Sequence, residues 1–166
     1  MEKIGIFYGS TSGSTKSVAE KLQKIFGKKA EVHDIKHADN ELIEKYTNLI
    51  FGTSAWGIGD MQDDWEMFVD NLSDINFTGK KLALFGMGDQ EEYPESFVDG
   101  LGTLYCRLPD KTIVVGTSDT DGYKYYFSLA DNNGKFVGLA LDVHSQDNLT
   151  DERLKHWAKQ LESEFV

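Results

Sequence analysis

A chain of 166 residues with one cysteine and a formal net charge of −11 is long enough for a single domain, residues 1–166, with a substantial core. One cysteine excludes an intramolecular disulfide. No run approaches a membrane span and there is no signal-peptide core or Arg-rich leader, so a cytoplasmic location is expected. The acidic balance argues against nucleic acid, whose phosphates it would repel, and favours basic partners.

In chain order, Ile4-Gly5-Ile6-Phe7-Tyr8 reads as a first buried strand. Gly9-Ser10-Thr11-Ser12-Gly13-Ser14-Thr15 follows it. An amphipathic helix then carries Val18, Leu22, Ile25 and Phe26 at helical spacing and ends near Gly27. Residues 30–35 make a second strand, and residues 40–46 a short helix with Leu42, Ile43 and Tyr46 inward. Residues 48–53 form a buried third strand. A glycine-bearing loop, Ser54 to Asp60, leads into a helix with Trp65, Phe68, Val69 and Leu72 on one stripe. Strand four covers 81–86. After Met87-Gly88-Asp89-Gln90-Glu91-Glu92-Tyr93-Pro94, a helix aligns Phe97, Leu101, Leu104, Tyr105 and Leu108 inward, with Cys106 expected as a packed thiol. Strand five starts at Thr112 and is interrupted by about twenty polar and aromatic residues. It resumes at 136–141. Thr150, backed by Asp151 and Glu152, is expected to cap a last helix that buries Leu154, Trp157, Ala158, Leu161 and Phe165.

The first loop joins a strand to a helix N-terminus, where free backbone N–H groups and the positive end of the helix dipole favour an anion. Five of its seven residues carry hydroxyls and none is Lys or Arg, so the reading is a phosphate held by neutral donors. Other phosphate loops do not fit. A Walker loop would need glycine at Ser14 and lysine at Thr15, and Gly9 and Gly13 are wrongly spaced for a dinucleotide fingerprint. A phosphatase loop would need a Cys, and a receiver domain an acidic pair after strand one and an Asp after strand three. A helix-capping turn without ligand is the plainer alternative.

Strands alternating with helices give an α/β fold, a doubly wound five-stranded parallel sheet covered on both faces, with an insertion interrupting strand five. In such sheets ligands lie beyond the carboxyl ends of the strands. The Ser/Thr loop, the Trp56 loop and the Tyr93 loop all leave at that edge.

Taken together these motifs resemble the flavodoxins, of the long-chain type, over essentially the whole chain. The resemblance is carried by Gly9 to Thr15, by Ala55-Trp56-Gly57-Ile58-Gly59-Asp60, and by Gly86-Met87-Gly88-Asp89-Gln90 with Tyr93. Thr120-Asp121-Gly122-Tyr123 and residues 134–139 add to it. It implies strand order 2-1-3-4-5, noncovalent FMN and a low-potential one-electron carrier working on the semiquinone/hydroquinone couple, not an enzyme. The implied phosphate site is Ser10, Thr11, Ser12, Gly13, Ser14 and Thr15. The ring would lie between Trp56 and Tyr93, with Ser54, Ala55, Gly57, Ile58, Gly59, Met87, Gly88 and Asp89 around it; such stacking contributes about 0.5–1.5 kcal/mol beyond area burial. Ferredoxin/flavodoxin–NADP reductase and 2-oxoacid oxidoreductases are the implied partners of a monomeric carrier, with no metal. Flavodoxins turn the peptide after the tryptophan toward the ring, a turn that glycine allows cheaply. Gly57→Ala is therefore expected to lower the yield of the one-electron-reduced state in a potentiometric titration.

Residues 60–99 hold eleven carboxylates against Lys80 and Lys81, which places −9 of the −11 in one quarter of the chain. Full reduction of a flavin leaves negative charge on the ring. One carboxylate ~12 Å away opposes it by roughly 0.3–1.4 kcal/mol for an effective dielectric of about 80 down to 20. For one electron ~1.4 kcal/mol is ~59 mV, so several carboxylates lower the potential by on the order of a hundred millivolts. Departures from the family pattern are Ala55, where many flavodoxins have threonine, and Asp142-Val143-His144-Ser145 in place of Asp-x-Asp-Asn. The latter leaves a contact from that loop open, with His144 read as an exposed loop residue. Competing readings are a small FMN-dependent quinone or NADPH reductase, which would need a basic residue by the three loops, and a cofactor-free interaction domain.

Overall fold

The computed structural model describes residues 1–56 and 60–166, with the backbone alone at Ala55 and Trp56. In chain order the elements are β1 (Ile4–Tyr8), α1 (Ser14–Phe26), β2 (Ala30–Asp34), α2 (Asn40–Glu44), β3 (Asn48–Trp56), β4 (Asp60–Met61), α3 (Asp63–Phe68) and β5 (Lys81–Met87). They continue with α4 (Asp99–Cys106), β6 (Val114–Val115), β7 (Ser118–Asp119), β8 (Asp131–Asn132), β9 (Lys135–Phe136), β10 (Leu139–Leu141) and α5 (Thr150–Glu164).

The main sheet runs β2-β1-β3-β5-β10, all parallel, which is the expected order. The interruption of the fifth strand is literal. β6 pairs with the first part of β5 (Leu82↔Val114, Ala83↔Val115), and β10 pairs with its last part (Leu139↔Phe85 to Leu141↔Met87). The residues between them fold into a separate antiparallel sheet, β7-β9-β8. β4 pairs antiparallel with the end of β3.

Two cores flank the sheet because successive strand side chains point to opposite faces. Ile4, Ile6 and Tyr8 face one side with Val18 and Leu22 of α1 and Leu154, Trp157 and Leu161 of α5. Phe7 and Phe51 face the other, with Trp65 of α3 and Leu101 and Leu104 of α4. Trp65 and Trp157 are fully buried, as expected, and each anchors its helix by an indole N–H: Trp65 donates to Gly52 O at 2.7 Å and Trp157 to Gly116 O at 2.8 Å.

Three local expectations are corrected. Cys106 is exposed; α4 has only eight residues, and with Leu101, Leu104 and Leu108 turned to the core its last residue faces solvent. Thr150 does open α5, but as its first helical residue behind a 3₁₀ turn at Asp147–Leu149, and no side chain caps that helix. The stripe after Trp65 ends as α-helix at Phe68, and Val69–Asp74 continues as 3₁₀ helix, still burying Val69 and Leu72.

Candidate functional site

A cavity of about 650 Å³ opens where β1, β3 and β5 end at the carboxyl edge of the sheet. Its wall contains Thr11, Ser12 and Ser14 from the first loop, Ser54 from the third strand, Met87 from the end of β5, and Gly88, Asp89 and Tyr93 from the loop after it. The first loop, the end of β3 that leads into the Trp56 loop, and the Tyr93 loop therefore share one cavity. Gly57, Ile58 and Gly59 and the side chains of Ala55 and Trp56 lie outside the described residues, and with them the second stacking face and the turn assigned to Gly57.

The first loop divides its labour. Thr11, Ser12 and Ser14 reach the cavity, whereas Ser10 Oγ accepts from the backbone N–H of Gly13 at 2.9 Å and so shapes the loop from within. Gly13 stands at the N-terminus of α1 with φ 93°, and Thr15 is buried in the first helical turn, which carries no acidic residue to oppose an anion. The loop is also held from outside, by a residue that no local sequence signal marks. Gln62 is 1 % exposed; its Oε1 caps α3 by accepting from the N–H groups of Asp64 and Trp65 at 3.0 and 3.3 Å, and its Nε2 donates to Thr11 Oγ1 at 3.3 Å. Gly9 makes room for this contact: a Cβ there would meet Gln62 Oε1 and come within 2.7 Å of Trp65 Cδ1.

At the other end lies the aromatic ring of Tyr93, 44 % exposed. The loop beneath it is built by Asp89, whose Oδ1 accepts from the N–H groups of Glu91 and Glu92, both at 3.1 Å. The Asp142 loop forms another wall, with Val143 and His144 lining the cavity. The sequence left that contact open; the structure shows His144 to be exposed and at the cavity rim together. Asp142 is wholly buried. Burial alone would push its carboxyl up, but hydrogen bonds from the N–H groups of Ser145, Gln90 and His144 and from the Gln90 side chain outweigh it and hold the group below the usual carboxylate range. Of the remaining wall residues, Glu92 belongs to the acidic quarter, while no local pattern marks Ser96 and Val98.

The acidic quarter is less uniform than its composition. Asp89 and Glu92 border the cavity; Asp70 is paired with Arg107. Asp99 is 6 % exposed and serves the inserted segment by accepting from Leu129 N–H at 2.8 Å, with its carboxyl raised by burial. Of the insert's aromatics, Tyr123 and Tyr125 pack on Phe97 with ring centroids 5.7 and 5.5 Å away, while Tyr126 and Phe127 are exposed.

Comparison with known proteins agrees with this architecture. The family model described as Flavodoxin matches residues 6–157. The flavodoxin of Trichodesmium erythraeum is 44 % identical over 169 residues, covering 99 % of each chain. Flavodoxin 1 of Azotobacter vinelandii is 42 % identical over 175 residues, covering 100 % of this chain and 99 % of its own. The crystal structure of Fusobacterium nucleatum flavodoxin bound to flavin mononucleotide superposes with a TM-score of 0.92 at 34 % identity, covering all of both chains. With its sheet order, its interrupted fifth strand and these full-length matches, the chain belongs to the flavodoxin family.

Proposed function

We propose that this flavodoxin is a low-potential one-electron carrier in the cytoplasm that holds FMN noncovalently in the cavity at the carboxyl edge of its sheet. It would dock by its acidic rim on redox proteins such as ferredoxin/flavodoxin–NADP reductase and 2-oxoacid oxidoreductases. The observation that carries the reading is the polarity of the cavity, with uncharged hydroxyls at a helix N-terminus on one end and a partly exposed tyrosine ring on the other. That donor set suits a phosphate and a flat ring joined by a polar chain. FMN, when bound, supplies the one-electron redox chemistry.

The protein's own residues bind and orient. Ser10 and Gly13 would shape the phosphate loop, and Thr11, Ser12 and Ser14 would donate to the phosphate, with Thr15 behind them in the first turn. Ser54, Met87, Gly88 and Asp89 would border the ring, Tyr93 would cover one face, and Trp56, with Ala55, Gly57, Ile58 and Gly59, the other. No lysine or arginine occurs among the described cavity residues. Among the described cavity residues Asp89 and Glu92, with His144 at the rim, would face negative charge on the bound group, and this acidic balance would lower its potential. The absence of lysine and arginine among them disfavours the NADPH-reductase reading, which needs a cation for the nicotinamide nucleotide.

A visible spectrum after adding FMN to the apoprotein, followed by reductive titration, tests this. Flavin absorbance with quenched fluorescence and negligible NADPH oxidation without a reductase are expected. The more negative midpoint potential should rise by tens of millivolts as the screening length falls from about 30 Å at 0.01 M salt to about 10 Å at 0.1 M. A colourless protein that leaves FMN fluorescence unchanged would refute the cofactor, and a salt-independent potential the electrostatic part.

A further inference from the structure

Gln90 is 5 % exposed, and its polar groups are engaged with two other segments of the chain. Its backbone N–H and its side-chain Nε2 both donate to Asp142 Oδ2, at 3.0 and 2.9 Å, while its Oε1 accepts from the backbone N–H of Lys124 at 2.6 Å. The residues after Lys124 grip the rest of the same loop. The N–H groups of Tyr126 and Phe127 donate to Pro94 O at 2.6 and 3.1 Å, and Ser128 Oγ donates to Phe97 O at 2.5 Å. Residues 89–99, which bring Asp89, Glu92, Tyr93, Ser96 and Val98 to the cavity, are thus suspended between the Asp142 loop and the insert. Within them Val98 has φ 48°, a left-handed conformation that costs a β-branched residue on the order of 1–3 kcal/mol and persists only where neighbours impose it. Those neighbours are Phe97 and Asp99, each bonded to the insert.

We infer that Gln90 is a positioning residue for the ring end of the cavity, its amide setting the Tyr93-bearing loop against both the Asp142 loop and the inserted segment. This rests on the FMN reading above. An amide suits the place because one end must donate to a buried anion and the other must accept from an N–H. Gln90→Glu keeps the acceptor but sets one carboxylate against another; Gln90→Leu loses both bonds. The phosphate loop contributes neither of Gln90's partners, so the two ends of the cavity should respond differently.

The test compares wild-type apoprotein, Gln90→Glu and Gln90→Leu for binding of FMN and of inorganic phosphate, with visible-region circular dichroism of the bound flavin. FMN binding is expected to weaken about tenfold or more in both variants, as for loss of a charge-assisted hydrogen bond, with phosphate binding within about twofold of wild type. The dichroism should change, because the ring's surroundings have moved. The FMN deficit of Gln90→Glu, taken relative to wild type at each pH, should shrink between about pH 8 and about pH 5, since the introduced carboxyl donates to Asp142 once protonated. Gln90→Leu should show no such recovery. Asp89, His144, Tyr123 and Arg153 surround the position in all three proteins, so the ratio to wild type at each pH isolates the pair formed by residue 90 and Asp142. If Gln90→Leu does not fold, the acid recovery of Gln90→Glu decides alone. Wild-type FMN affinity and dichroism in the variants, or parallel loss of phosphate and FMN, would overturn the inference while leaving the cofactor reading intact. A wild-type protein that binds phosphate but not FMN would sink the cofactor reading instead.

Discussion

Replacing Asp142 by alanine should weaken FMN binding on the order of a hundredfold and lower the stability of the apoprotein by about 3 kcal/mol, because buried donors are left without an acceptor. Those donors are the N–H groups of Gln90, His144 and Ser145 and the Gln90 side chain, all converging on one carboxylate with no solvent exposure. Isothermal titration with FMN and urea unfolding of the apoprotein measure the two effects. The pH dependence has a definite sign. The folded-state pKa of Asp142 lies below the ordinary value, since its hydrogen bonds outweigh the upward push of burial. Its stabilisation is therefore fully present above the unfolded carboxylate pKa of about 3.9 and is lost as the pH falls through the lower folded value. The stability difference between wild type and Asp142→Ala should stay constant above about pH 4 and narrow below it. Tyr123, with Arg153 4.1 Å above its ring, and the neighbouring Asp89 and His144 are common to both proteins. A variant as stable as wild type at neutral pH would show that the carboxylate does not hold the loop.

Gly138→Ala is the other substitution with a large expected effect. A Cβ at this position would meet the backbone carbonyl oxygen of Leu84 and lie 2.8 Å from its carbonyl carbon. No side chain can rotate away, so β10 must move off β5 where Leu139 pairs with Phe85. The Gly138 carbonyl also accepts from Ser118 Oγ at 2.6 Å, which ties the insert to the same point. A cost of about 3 kcal/mol, at the upper end for forced overpacking, is expected in urea unfolding of the apoprotein. FMN binding should weaken as well, because Leu141 O accepts from Gly88 N–H at 2.9 Å and so carries the displacement to the cavity wall. Unchanged stability would mean that the strand accommodates a methyl group by a shift too small to disturb its pairing.

Much of the site could be read from residue order alone. Ser10 to Ser14 follow a buried strand and precede a helix, and that local grammar already contains the backbone N–H groups and the dipole. Tyr93 was legible through its motif. Gln62, Asp142 and Val98 were not. A glutamine before a helix and an aspartate after a strand are common, and what distinguishes these is a partner 51 or 52 residues away, Thr11 for Gln62 and Gln90 for Asp142. The conformation of Val98 leaves no trace in composition, because it is imposed by contacts from residues 128 and 129. The same limit explains Cys106, whose helix is too short for periodicity to fix which face its last residue takes.

By itself the sequence determined the alternation of strands and helices, the parallel sheet, the broken fifth strand, and the hydroxyl-rich turn at a helix N-terminus, whereas the sheet order is what the resemblance to flavodoxins implies. The former follow from apolar spacing, glycine placement and hydroxyl content within windows of a few residues. Only the tertiary structure decided how the insert is used. Part of its aromatic content is packed on Phe97 and part is exposed, while its backbone grips the Tyr93 loop. It also decided that a buried carboxylate, through Gln90, joins two walls of the cavity. The physical reason is range: periodicity and capping act between neighbours along the chain, whereas a buried polar group is satisfied by whichever donor the fold delivers, and that donor's distance along the sequence is arbitrary.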